Sequence, residues 1–179
     1  MPRFPRAATA RTALFTAWTA GLGFALSGVP NVELMGLSAF VSGLLLGPGF
    51  GALSSGLAMS LYSGLNPYGP PLPPVFVAQV AGMAVFGAAG GGIGVFVVRA
   101  GGWFGACIAG GAGFLLTLIY DVLTNLGVAA SMGTLSRPGA VLAGGLLFSV
   151  GHLVSNTVIF AVAGPSVFSA LHARFGSGA

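Results

Sequence analysis

The sequence predicts an all-α integral membrane protein: a six-transmembrane-helix bundle with both termini cytoplasmic. Three observations predict it. Charged residues make up 4% of the 179 positions, against about 25% in soluble domains, which is too few to cover a water-facing surface. Hydrophobic residues make up 55% and gather in long runs separated by Gly, Pro and polar breaks. The six arginines, with no lysine beside them, lie asymmetrically about those runs.

The chain opens with a basic, Pro-containing tail over 1–12 that holds Arg3, Arg6 and Arg11. The first run, 13–29, is about one membrane thickness long. Ala13, Ala17, Gly21 and Ala25 recur every fourth residue in it, which lines small side chains along one face where another helix can approach. A basic start, an apolar core and Ala25-Leu26-Ser27 also fit a cleaved signal peptide. The second and third runs, 33–46 and 51–65, flank Gly47-Pro48-Gly49, a turn signal. Each is about 15 residues, or ~22 Å as helix, short against a ~30 Å hydrocarbon core. Two short neighbours leave a dip on the outer side.

Residues 66–74 read Asn-Pro-Tyr-Gly-Pro-Pro-Leu-Pro-Pro, a stiff loop through which no helix can run. Pro73 and Pro74 are suited to open the next helix. The fourth run, 75–98, has a glycine-rich middle. The spacing of Gly90-Gly91-Gly92-Ile93-Gly94 is wrong for a dinucleotide loop and suits close helix packing. The fifth run, 103–128, holds Asp121, and the sixth, 140–164, holds His152 and Asn156. Pro165 is expected to end it, leaving 13–164 as the membrane domain and 165–179 as a cytoplasmic tail. With the N-terminus inside, only Arg137 falls outside, in accord with the positive-inside rule. The location that follows is a multi-pass protein of the cell (plasma or inner) membrane, in contact with lipid.

Composition also excludes functions. The arginines are too scattered for a nucleic-acid footprint. A single cysteine, Cys107, excludes an intrachain disulfide and a Cys-based zinc site. His152 and His172 are too far apart for a helical metal pair, and no nucleophile motif or phosphate loop is present. No cofactor is expected.

The informative residues are the polar ones. Glu33 and Asp121 are the only acids, and a carboxylate at a membrane centre costs about 2.5–3.5 kcal/mol. Thr117, Asp121 and Asn125 share one helix face, as do Ser149, His152 and Asn156. Counting residues places Asn31, Glu33, Asn66, Tyr68, Gln79, Asp121 and Asn125 in an outer layer, with His152 and Asn156 deeper as a floor. A mostly apolar cleft with a few placed polar groups suits a small molecule. A ring-containing, neutral or cationic solute fits better than a polyanion, since no arginine falls there. Each residue also has a plainer reading as turn former or interhelical hydrogen bond.

Pro30-Asn31-Val32-Glu33 followed by Ser42-Gly43-Leu44-Leu45-Leu46-Gly47-Pro48-Gly49-Phe50-Gly51, then Asn66-Pro67-Tyr68-Gly69 and Gln79-Val80-Ala81-Gly82-Met83, resembles the substrate-binding S components of energy-coupling factor (ECF) transporters. The resemblance covers most of the chain. It implies a six-helix subunit that binds a vitamin, vitamin precursor or similar micronutrient from outside. It also implies docking on a transmembrane T component driven by two cytoplasmic ATPases, and no enzymatic activity in the chain itself. The family docks through Ala-x-x-x-Ala in its first helix, which Ala13 and Ala17 match and Gly21 extends. The alternatives are a structural or assembly protein packing through its Gly and Ala stripes, and a membrane enzyme using Asp121 and His152.

Overall fold

The computed structural model describes residues 6–29 and 31–175. Arg3, Pro30 and the last four residues of the expected tail lie outside the described residues. Among the described residues there are seven helices and no strand. In order they are α1 (Arg6–Leu26), α2 (Met35–Leu46), α3 (Pro48–Gly64), α4 (Pro73–Ala100), α5 (Gly102–Ser131), α6 (Pro138–Gly144) and α7 (Leu146–Phe175).

The breaks fall where the local chemistry requires them. Gly47 has φ +82°, a conformation other residues adopt at a cost, and it turns α2 into α3 with Pro48 as the first helical residue. Pro73 and Pro74 start α4, where a missing N–H leaves no hydrogen bond unmade. Gly101 and Gly102, both at positive φ, reverse the chain between α4 and α5.

Three helices, α4, α5 and α7, are long and apolar enough to cross a membrane; α2 is apolar but short. The sequence counted six runs. The difference lies in α1 and α3, which are diluted by hydroxyl side chains: Thr9, Thr12, Thr16 and Thr19 on one, Ser54, Ser55, Ser60 and Ser63 on the other. Several of these groups are buried and join helices. Thr19 and Ser38 share a hydrogen bond of 2.6 Å, Thr16 donates to the Ser54 carbonyl at 3.2 Å, and Ser54 donates to Ser42 at 3.0 Å. They replace apolar interdigitation between α1, α2 and α3 with polar contacts, a packing mode common within membranes.

The sixth run departs from expectation at both ends. It contains two helices, α6 and α7, joined at Gly145. Pro165 does not end the second one: α7 continues to Phe175. Proline removes one N–H that would reach the carbonyl four residues back, but neighbouring helices make this tolerable in membrane-type helices. Here Pro165 packs over Gly105 of α5.

The centre of the bundle is α2. All but Leu44 and Leu46 of its residues are buried, and it packs against α1, α3, α4 and α7. Glycines bring three backbones together there. A Cβ on Gly43 would strike the Gly87 carbonyl, one on Gly87 the Gly51 carbonyl, and one on Gly90 the Phe40 carbonyl. The glycine-rich middle of α4 is thus a packing surface, as its spacing predicted. Around it Phe40, Phe86, Phe160 and Phe168 form an aromatic cluster, with Phe40 and Phe168 stacked at 5.0 Å between centroids.

Because the obstruction at Gly90 is backbone, it cannot rotate away. Gly90→Ala is expected to destabilise the protein by about 1–3 kcal/mol or more, seen as a lowered melting temperature in detergent. Gly111→Ala, in open space on α5, is expected to melt with the wild type.

Candidate functional site

A cavity of about 350 Å³ opens at the end of the bundle where α2 begins. Every helix except α6 contributes to its wall. Its floor is set by Glu33, which stands just before α2. The Glu33 carboxylate accepts the Gly36 N–H, at 3.3 and 3.2 Å to its two oxygens. This caps the helix with a negative charge at its positive end.

The loop that carries Glu33 is fixed against α7. Asn31 adopts φ +59°, a left-handed conformation that Asn tolerates better than most residues. Its amide lies over Gly151, where a Cβ would come within 2.9 Å of it. The next residue of α7 is His152. Its Nδ1 lies 2.8 Å from Asp121 Oδ1; an ionised carboxylate only accepts, so Nδ1–H donates. Its Nε2 faces Glu33 Oε1 at 3.9 Å, beyond hydrogen-bond distance. Asn156, one turn along α7, donates to Glu33 Oε1 at 3.5 Å. The only two acids of the chain therefore flank one histidine. Asp121 is 5% exposed and His152 8%.

The remaining wall is aromatic and sulfur-rich. Tyr120 enters because Gly82 leaves room for its ring. Phe86, Tyr62, Phe148 and Met35, Met59 and Met83 complete it. Gln79 lines the cavity, and its Oε1 accepts the Ser63 hydroxyl at 2.8 Å.

Of the residues singled out from sequence, Asn31, Glu33, Gln79, Asp121 and His152 line the cavity. Asn156 is fully buried beside it, bonded to Glu33. Three others lie elsewhere. Asn66 accepts the Tyr68 N–H at 2.9 Å, a local turn bond, and Tyr68 is 79% exposed. Asn125 donates to the Asp121 carbonyl at 2.7 Å and its side chain packs at Gly145, where α6 meets α7.

The predicted layering is also corrected: His152 is not a floor beneath Asp121 but is bonded to it. The count had started α7 at Ala140. Measured from Leu146, its true start, His152 is only about 9 Å along the helix. Tyr62 and the methionines went unnoticed. A signal was present: Gln79, Met83 and Phe86 share a stripe on α4, as do Met59, Tyr62 and Ser63 on α3.

No family model, curated protein or solved structure matches the chain.

Chemically the site combines two carboxylates and one imidazole with an aromatic and methionine-rich wall. Two hydroxyls of the lining are turned onto their own helices: Ser27 donates to the Phe24 carbonyl at 2.9 Å and Thr124 to the Tyr120 carbonyl at 3.0 Å. Neither is held by His152 as a nucleophile would be. Among the described residues no group of three His, Cys, Asp or Glu side chains is placed to hold a metal ion.

The α1 stripe points the other way. Ala13, Ala17, Gly21 and Ala25 are all exposed, while Thr12, Thr16 and Thr19 turn inward.

Proposed function

We propose that this chain is the solute-binding subunit of a membrane transporter, similar to an ECF S component, that takes up a vitamin, vitamin precursor or similar small micronutrient. The observation that carries this reading is the cavity itself: about 350 Å³, walled mainly by apolar side chains, with Glu33, Asp121 and His152 converging on it. Small-molecule sites are commonly of this size and make-up. The buried carboxylates add weight, since such groups in membrane segments usually serve a pathway or a ligand.

In this reading α1 to α5 and α7 are the six helices of the membrane domain, with the α2–α3 turn at the inner surface and the outer ends of that short pair stopping below the outer one. Both termini are cytoplasmic and the cavity faces outward. Arg11, Arg99 and Arg174 then lie inside and Arg137 outside. ATP hydrolysis is supplied by two cytoplasmic ATPases through a transmembrane T component, and the chain itself is not an enzyme. The exposed stripe of Ala13, Ala17 and Gly21 is the docking face for that component. The same stripe supports the rival reading, an assembly protein without a solute site.

Titrating the purified protein with water-soluble vitamins and their precursors separates the two. A saturable isotherm for at least one is expected; a chain that binds none of them is the packing protein.

The topology has its own check. In a Cys107→Ser background, Ser136→Cys is expected to react with an impermeant thiol reagent added outside intact cells, and Ala100→Cys is not. The reverse pattern inverts the orientation.

Docking predicts a further outcome. Ala17→Leu is expected to abolish co-purification of the two ATPases, identified by mass spectrometry, while solute affinity is unchanged. Co-purification at wild-type levels would leave the stripe facing lipid.

A further inference from the structure

Resting on the reading of the cavity as a solute site, we propose that it recognises a planar organic cation bearing at least two N–H donors, an amidinium or a protonated amino-heterocycle being the chemical type. The inference comes from the atoms left without partners. Asp121 Oδ2 is buried and accepts no hydrogen bond from the described residues, although the other oxygen of the same carboxylate is engaged by His152. Asn31 Oδ1, on the same wall, is likewise buried and unpartnered, and so is Asn156 Oδ1 beside Glu33. All three are acceptors.

A buried acceptor must be met by a donor. Each of these atoms is shut off from solvent, so a ligand that settles beside their residues has to bring donors to them or leave them unpaired. An N–H bearing ligand does this; a carboxylate or phosphate brings only more acceptors.

Charge selects in the same direction. Two carboxylates face one imidazole, so the cluster holds more acidic than basic groups. Among the described residues no arginine lines the cavity, and Arg11, Arg99, Arg137 and Arg174 are exposed. An anion would enter without a counter-charge. The walls add a further preference: the aromatic side chains of Tyr62, Tyr120 and Phe148 line the cavity, rings of a kind that attract cations electrostatically, and the methionines are adaptable neighbours.

The test uses three probes of one planar shape: benzamidinium, neutral benzamide and anionic benzoate, titrated into the purified full-length protein by ligand-observed magnetic resonance. Benzamidinium is expected to bind at least about tenfold tighter than benzamide, with benzoate weakest. One charge-assisted hydrogen bond corresponds to about a ten- to hundredfold change. Asp121→Asn should therefore weaken benzamidinium by about that factor while moving benzamide less than about twofold. A purely structural carboxylate would shift both probes alike. Should that variant misfold, Glu33→Gln, at a more exposed carboxylate, is expected to narrow the same preference. Equal binding of the three probes, or tighter binding of benzoate, overturns the ligand class and leaves the solute site standing. Binding of none overturns it too, and the vitamin titration then decides whether a solute site exists at all.

Discussion

Backbone-to-backbone contact among α2, α3 and α4 is the constraint on which the rest of the structure depends. Gly43, Gly51, Gly87 and Gly90 remove the side chains that would keep these helices apart. Dispersion between close-packed backbones replaces the hydrophobic drive that lipid does not provide. The consequence reaches beyond stability. α2 is held at the centre of the bundle, so the residues just before it, Asn31 and Glu33, are presented at the meeting point of α4, α5 and α7. A looser contact would move Glu33 away from His152 and Asn156 and dissolve the cluster.

The cluster shows how a chain this poor in charge uses the little it has. Each acid is held by at least one neighbouring group. Glu33 is held by the α2 N-terminus and Asn156, and Asp121 by the imidazole of His152. Breaking such a buried pair by removing one partner costs about 3–5 kcal/mol, because the remaining charge is stranded. The arrangement still leaves one oxygen of Asp121 buried without a hydrogen-bond partner among the described residues. On the proposed reading as a solute site, a group fixed by its neighbours with one acceptor oxygen unmet would act as a pre-organised contact.

The helical class, the breaks at Gly47-Pro48 and Pro73-Pro74, and the packing role of the α4 glycines were legible in the sequence. Each rests on local rules of backbone conformation and side-chain size. Five of the polar residues it singled out line one cavity; helix periodicity places Gln79, Asp121 and His152 on their faces, while Asn31 and Glu33 stand in the loop before α2. Depth was not legible, because it depends on where a helix starts. One break at Gly145 shifted the count along α7 and separated His152 from Asp121 on paper. The end at Pro165 was misread for a related reason: whether proline stops a helix depends on what packs beside it, and Gly105 of α5 lies outside any local window. Asn66 and Tyr68 show the opposite failure. Their turn chemistry was plain, but nothing local tells a turn residue from a ligand contact.

The position of His152 has a consequence for how the chain is made. Both carboxylates lie on segments synthesised before α7, and their shared imidazole arrives last. Until α7 is in place, Asp121 has no partner on the other side of the cavity, and an unpaired carboxylate within the bilayer is penalised by about 2.5–3.5 kcal/mol. That penalty is relieved only when the final helix docks. Assembly is thus drawn to completion by its last step. A chain truncated before residue 152 would retain all the glycine contacts of α2, α3 and α4 yet leave Asp121 without its imidazole partner.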